Sequence, residues 1–297
     1  MELLDLIGNT PLINLSFLSP QPERVSLFAK AEWMNPGGSL KDRSVKLILT
    51  RAIEDGLLQP GKIILDSSSG NAGISYSMIG AALGYAVNIV IPDNASNERK
   101  MRLRAHGAQL IETDALEGYD QAIRHVHELY ANSPDKYFFA DQYSNQANVL
   151  AHYHGTGAEL IEQVSGPITH FVCGVGTGGS LTGIARRLKA KYPAVVIVGI
   201  RPERWPGIEG LKPLGEKEDI LPKIFDGSLV DRWLDVSANE AKSMCLTMAR
   251  RGYFVGQSSG AYLAGCCKLM AELSEGVVTT LMCDSGERYF STGLWQS

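Results

Sequence analysis

What this sequence lacks narrows its function before any motif is read. No apolar run approaches the roughly 18 residues needed to cross a bilayer, and the opening MELLDLIGNTP has no basic segment followed by an apolar one. A cytoplasmic protein with no membrane partner is expected. Basic excess is also missing: 28 Lys and Arg stand against 32 Asp and Glu, a net charge of −4. Nothing there neutralises a phosphate backbone, so nucleic acid is not an expected partner. The five cysteines, Cys173, Cys245, Cys266, Cys267 and Cys283, show no C-x-x-C spacing and no nearby His pair. That argues against a disulfide framework and a zinc site, and no metal is expected. They read as small core residues. There is no fixed-period repeat and no low-complexity segment.

What is present is an ordinary globular composition, 44% apolar and 20% charged over 297 residues, enough for a substantial core in one large unit or two domains. Short β-rich runs recur: VSLFAKAEW, KIILDSS, AVNIVIP, AQLIET, YFFADQ, THFVCGV, AVVIVGI and TTLMCDSG. Amphipathic stretches lie between them, such as NERKMRLRAHG, YDQAIRHVHELYANS, SLTGIARRLKAKYP and NEAKSMCLTMARRG. This alternation predicts βαβ units, hence an α/β protein with parallel sheets covered by helices. Arg201 to Gly227 is rich in Pro, Gly and charge and predicts a long irregular loop. A domain break is placed loosely near Asp141 to Asn148.

Four segments combine a strand-like run, a turn and a helical run, the layout that leaves free backbone N–H groups at a helix start. In NPGGSLKDRS, Asn-Pro-Gly-Gly makes a turn, Ser39 can cap the helix and Lys41 falls in its first turn. The helix dipole disfavours an ammonium there, so the neutral, nucleophilic amine becomes more available. The plain alternative is a solvated surface lysine in a KDR string. In SSSGNAG, Ser67 to Gly73, hydroxyls and N–H groups suit a carboxylate, or form a simple cap. CGVGTGGSLTG, Cys173 to Gly183, suits a phosphate. It also contains G-x-G-x-x-G at Gly174, Gly176 and Gly179, and a dinucleotide reading would use Glu203 to hold the ribose. GQSSGAYLAG places Ser258 and Ser259 at a further helix start, where N-capping is the plain reading.

Taken in order, NPGGSLKDR, SSSGNAG, GVGTGGSLTG, GQSSGA and CDSGERYFSTG, with IGNTPL at Ile7 to Leu12, resemble the cysteine synthase family. These are the O-acetylserine sulfhydrylases of pyridoxal phosphate (PLP) fold type II. The likeness spans nearly the whole chain and is closest to the cysteine synthase B and O-phosphoserine-using branch. It implies two doubly wound α/β domains with the cofactor between them. Residues 37–146 would form the smaller mobile domain, and residues 1–36 and 147–297 the larger PLP-binding one.

The resemblance implies that Lys41 carries PLP as a Schiff base and serves as proton carrier. Asn71 would bond the cofactor's phenolic oxygen, and Gly176, Thr177, Gly178, Gly179 and Ser180 would hold its phosphate, which displaces the dinucleotide reading. Ser258 would face the ring nitrogen, and a hydroxyl there favours β-elimination over transamination. Ser68, Ser69, Gly70, Ala72 and Gln142 would receive the substrate, chiefly its α-carboxylate. The implied reaction is β-replacement through an aminoacrylate intermediate, giving L-cysteine from O-acetylserine and sulfide. O-Phosphoserine is the alternative donor, an amine the alternative nucleophile and an NAD-binding oxidoreductase the reading from another class. Homodimerisation and docking of a serine acetyltransferase tail are implied as well. The chain departs from the family at Ala72, usually Thr, and at Gln257, usually small and aliphatic. Lys212 falls near a position where some branches place a substrate-reading Arg. These departures bear on substrate rather than cofactor.

Overall fold

The computed structural model describes residues 1–68, 70–114, 116, 118–214 and 221–296, with the backbone alone for 118–120. One sheet contains β1 (Leu12–Asn14), β2 (Val25–Ala31), β7 (His170–Gly174), β8 (Val196–Pro202), β9 (Arg232–Val236) and β10 (Gly276–Met282). Its order is β1-β2-β10-β7-β8-β9, with β1 antiparallel to β2 and every other pairing parallel. The second sheet contains β3 (Ile63–Ser67), β4 (Val87–Pro92), β5 (Gln109–Thr113) and β6 (Tyr137–Phe139). It is parallel throughout, in the order β5-β4-β3-β6. The expected α/β class with parallel sheets is therefore observed.

The smaller sheet shows how the sequence builds a layered unit. β4 is buried at every position, as a parallel strand covered on both faces must be. Successive side chains point to opposite faces. Ile64 and Ile89 join one core with Val45, Ile48 and Leu49 of α1 (Lys41–Glu54) and Ile74 and Ile79 of α2 (Asn71–Leu83). Leu65 and Val90 join another with Ala122 and Val126 of α4 (Gly118–Asn132). Beside α2 lies α3 (Asn97–Ala105).

The larger sheet packs with α7 (Gly179–Lys191), α8 (Ala238–Ala249) and α9 (Gln257–Met270), which share its core with Val25, Leu27, Phe171, Val172, Val198 and Leu281. A helical stretch not anticipated from sequence lies between helices of the two sheets: α5 (Gln146–Ala151), a π-helical turn at His152–Thr156, and α6 (Gly157–Gln163). It touches both α1 and α7. A Cβ at Gly183 would lie 2.3 Å from the Val149 carbonyl, so glycine lets α7 cross it in backbone contact. β8 extends to Pro202, two residues into the expected loop. From Glu203 to β9, the described residues form only a short 3₁₀ turn at Gly227–Leu229, and residues 215–220 lie outside the described set. No helix among the described residues is long and apolar enough to cross a membrane.

Candidate active site

Lys41 opens α1 from a turn that is tightly determined. Gly38 adopts φ +76° and its N–H donates to the Asn35 carbonyl at 2.7 Å. Ser39 then bridges to Asp284, and the Leu40 N–H donates to the Cys283 carbonyl at 2.9 Å. Leu40 rather than Ser39 occupies the capping position, although the Ser39 hydroxyl accepts the Lys41 N–H at 3.3 Å. The start of α1 is thus fastened to the end of β10. Burial lowers the Lys41 amine below its ordinary value, against opposing contributions from Cys283, Cys173 and Asp284. Among the described residues its amine has neither ion pair nor hydrogen bond.

The rest of the KDR string is also internal, which excludes a solvated surface run. Asp42 accepts from the Gly37 N–H at 2.5 Å and from the Ser75 hydroxyl. Arg43 enters a buried ion cluster: its Nε donates to Glu32 Oε2 at 2.7 Å and its Nη2 to Glu159 Oε2 at 2.7 Å, while Lys30 Nζ lies 2.6 Å from Glu159. That cluster ties α1 to β2 and α6.

At the end of β3, the Ser68 hydroxyl accepts from the Gly70 and Gly73 N–H groups at 3.2 and 2.9 Å. Ser68 therefore caps α2 as the plain reading held, and it also lines the cleft. Asn71 and Ala72, in the first turn of α2, supply the remaining N–H donors there. Ser69 lies outside the described residues. The Gln142 side chain donates to the Ser67 carbonyl at 2.9 Å, holding the β3 turn from the side of β6. Asn71 Nδ2 donates to Asp284 Oδ2 at 2.7 Å, and its Oδ1 accepts from Arg288.

The glycine loop leaves β7 and enters α7. Gly178 takes φ +85° at the capping position, a left-handed conformation suited to glycine. A Cβ at Gly176 would lie 2.5 Å from the Gly210 carbonyl, and one at Gly179 would lie 2.1 Å from Asn148 Oδ1. Asn148 Nδ2 donates to Thr177 Oγ1 at 3.0 Å and to the Gln142 carbonyl at 2.9 Å, so the loop is braced from α5. At the start of α9 the two serines part. Ser258 faces the cleft, whereas Ser259 Oγ accepts from the Cys283 N–H at 2.8 Å and anchors the end of β10.

One cleft brings most of the expected residues together. Lys41, Ser68, Gly70, Asn71, Ala72 and Gln142 line it from one side, with Gly176, Thr177, Ser180 and Ser258 from the other. Gly178 and Gly179 complete the loop's backbone behind that wall. Lys212 is not brought in. It lines a neighbouring cavity with Asp66 and Lys223, its Nζ 5.3 Å from the Tyr143 ring centre, and Tyr143 borders both spaces. Glu203, the candidate ribose-binding acid, instead accepts from the Ala238 N–H at 2.5 Å at the start of α8, which Ser237 caps. Arg99, Tyr143, Glu209, Gly210, Tyr262, Cys283 and Tyr289 also line the cleft, and sequence reasoning missed them as site residues. Of these, Cys283 and Tyr289 lie in CDSGERYFSTG, Tyr262 in GQSSGAYLAG, and Glu209 and Gly210 in the long Arg201–Gly227 loop. No cluster of three or more metal-ligating side chains occurs among the described residues.

The donor set suits pyridoxal phosphate. An aldehyde needs a free, readily deprotonated amine, which Lys41 presents. A phosphate needs first-turn N–H groups beside hydroxyls, which the loop from Gly176 to Ser180 presents at the start of α7. A hydroxyl for the ring nitrogen is available at Ser258.

The profile of the pyridoxal-phosphate dependent enzyme family matches residues 3–284. The chain is 44% identical to the cysteine synthase of Aquifex aeolicus, covering 99% of this chain and 91% of that protein. It is 40% identical to the cysteine synthase B of Pseudomonas aeruginosa, covering 98% and 96%. The crystal structure of cysteine synthase from Entamoeba histolytica superposes with a TM-score of 0.92 at 33% identity, covering 100% of this chain and 90% of that one. The structure of O-ureido-L-serine synthase superposes equally, TM-score 0.92 and 33% identity, covering 100% and 95%. With the likeness running almost end to end in both sequence and fold, this chain belongs to the pyridoxal-phosphate-dependent enzymes, within the cysteine synthase family.

Proposed function

We infer that this enzyme makes L-cysteine by β-replacement, exchanging the acetyl ester of O-acetylserine for sulfide. The observation that carries the reading is the convergence of one amine with no ion pair or hydrogen bond among the described residues, that of Lys41, its pKa lowered by burial, with the N-termini of α2, α7 and α9 in a single cleft. Lys41 would hold pyridoxal phosphate through its amine, with Asn71 and Ser258 at the ring and Gly176 to Ser180 at the phosphate. When bound, the cofactor supplies an electron sink for the α-carbon of an amino acid, which acidifies the α-proton and lets the β-substituent leave.

The chain's own residues supply the rest. The Lys41 Nζ would take the α-proton, and burial, which lowers its pKa, favours the neutral form that can accept it. The N–H groups of Asn71 and Ala72, with the Ser68 hydroxyl, receive the α-carboxylate and orient the molecule. Gln142 holds that turn in place. We assign residues 37–146 to a smaller unit that closes on the rest when the carboxylate binds, excluding water. The relatives named cysteine synthase support the choice of product, and the absence of Lys212 from the cleft supports the acetyl donor over the phosphorylated one. On the family resemblance we extend the reading to a cytoplasmic homodimer whose cleft can also receive a serine acetyltransferase tail. Sedimentation and a tail-peptide titration test those two points.

The deciding experiment is spectroscopic. The purified protein should carry a visible absorption that borohydride removes while fixing the cofactor mass on Lys41. It should form cysteine from O-acetylserine and sulfide. A colourless protein that gains no band with added pyridoxal phosphate refutes the cofactor site. A coloured protein that forms no cysteine refutes the reaction.

A further inference from the structure

One ion pair in the cleft spans both units. Arg99, on α3, contacts Glu209, in the loop after β8, and both residues line the cavity that contains Lys41. Arg99 is nearly buried, its side chain 4% exposed, whereas Glu209 is 32% exposed. The guanidinium lies against the carboxylate-binding turn, since a Cβ at Gly70 would sit 3.4 Å from Arg99 Cζ. Its Cζ also lies 5.0 Å from the Tyr289 ring centre. Glu209 is fixed in turn: its N–H donates to the Gln257 side chain at 3.0 Å, next to Ser258, and the following Gly210 carbonyl abuts Gly176. Gln257, one of the family departures, is therefore the residue that seats Glu209.

We propose that Glu209 determines which activated serine this enzyme accepts, by holding Arg99 neutralised in the wall that faces the donor's β-substituent. This inference rests on the cysteine-forming reading. With the α-carboxylate at the start of α2 and the α-carbon at Lys41, the Arg99–Glu209 pair stands in the remaining wall beside Tyr143 and Tyr289, and we place the substituent against it. A lone arginine there would be a fork-shaped receptor for phosphate. Paired, it presents no net positive charge, and a phosphate dianion entering would meet the Glu209 carboxylate at close range, where like charges repel strongly in a partly desolvated cleft. An acetyl ester carries no such charge. It can still accept a hydrogen bond from the arginine.

The test compares donors in the holoenzyme. The ratio of kcat/KM for O-acetylserine to that for O-phosphoserine, both with sulfide, is measured for wild type, Glu209→Gln, and Glu209→Gln combined with Arg99→Gln. Wild type should favour O-acetylserine. Glu209→Gln should lower the ratio about tenfold or more, and adding Arg99→Gln should restore it. Because each ratio is taken within one protein, a general loss of folding or cofactor cancels. An equilibrium arm uses inorganic phosphate as the probe, titrated calorimetrically into the same proteins: Glu209→Gln should bind it more tightly, and the double variant should not. A ratio unmoved by Glu209→Gln, or a wild type that prefers O-phosphoserine, overturns the inference. If wild type forms cysteine from neither donor, the proposed function fails. The phosphate titration then still decides the role of the pair, an unchanged affinity in Glu209→Gln overturning it.

Discussion

Asn71 and Asp284, 213 residues apart in the chain, meet beside the cleft through a 2.7 Å hydrogen bond from the carboxamide to the carboxylate. The same Asp284 oxygen accepts from the Tyr289 hydroxyl at 2.8 Å. The contact joins the start of α2, which packs on the four-stranded sheet, to the residues following β10 of the six-stranded sheet.

Removing that carboxylate should loosen both partners. Asp284→Ala strands a buried tyrosine hydroxyl and an asparagine donor, a loss of about 1–3 kcal/mol in unfolding free energy. It also removes one of the negative neighbours that raise the Lys41 amine, so the Lys41 pKa should fall further. Urea denaturation checks the first effect and the pH dependence of borohydride-trappable absorption the second.

The buried cluster of Lys30, Glu32, Arg43 and Glu159 makes a second prediction. Glu32 is fully buried and Arg43 nearly so, so Arg43→Ala leaves an uncompensated interior carboxylate, typically costing about 3–5 kcal/mol. Burial alone would raise the Glu159 carboxyl, yet the hydrogen bond and charge of Arg43, with Lys30, hold it down to about 2. A depressed carboxyl stabilises the fold above its unfolded pKa. That contribution should be lost as pH falls from near 4.5 towards 2, and in Arg43→Ala the acid limb should be shallower. Melting temperature as a function of pH measures both.

Asp66 behaves in the opposite sense. Complete burial pushes its carboxyl up to about 7, against hydrogen bonds from Tyr76 and the Ser67 N–H. The folded protein then holds a proton that the unfolded chain releases above pH 4. Stability from this group is present below that pH and is lost as pH rises towards 7, by up to about 4 kcal/mol. Asp66→Asn retains an acceptor for Ser67 and should flatten the decline between pH 4 and 7. An unchanged difference curve between wild type and variant would refute the assignment.

Gly179→Ala tests the glycine loop. The added methyl would lie 2.1 Å from Asn148 Oδ1, so Asn148 must move and release Thr177 and Gln142. Retention of pyridoxal phosphate should weaken about tenfold or more, equivalent to about 1.4 kcal/mol or more. Dialysis followed by fluorescence titration measures it, and circular dichroism reports whether the fold survives.

The sequence revealed those parts of the fold and site whose physics is local. β4 is legible because a strand buried on both faces is apolar at nearly every position, Asn88 being the exception, and α1 because the Asn-Pro-Gly-Gly turn stands directly before it. β1 is only Leu12–Asn14, too short for a period to register. β9, with Arg232, Trp233, Leu234 and Asp235 at a sheet edge, carries no pattern that sets it apart from the loop before it. The segment from Gln146 to Gln163 carries a π turn that breaks the helical period. In the site, Lys41, Asn71, the glycine loop and Ser258 each follow a turn with its own signature. Arg99 and Glu209 have none. Arg99 sits in a helix that reads as a charged outer face, and its partner is 110 residues away, so only the folded chain reveals the pair.

The placement of β10 has a consequence for how the protein is made. Residues 276–282 form the strand that separates β2, from residues 25–31, and β7, from residues 170–174. A nascent chain still on the ribosome, with that strand inside the exit tunnel, has a gap in the middle of its main sheet and no Cys283 carbonyl on which Leu40 can dock. The turn that carries Lys41 therefore cannot dock in its final setting until residues 276–284 have emerged.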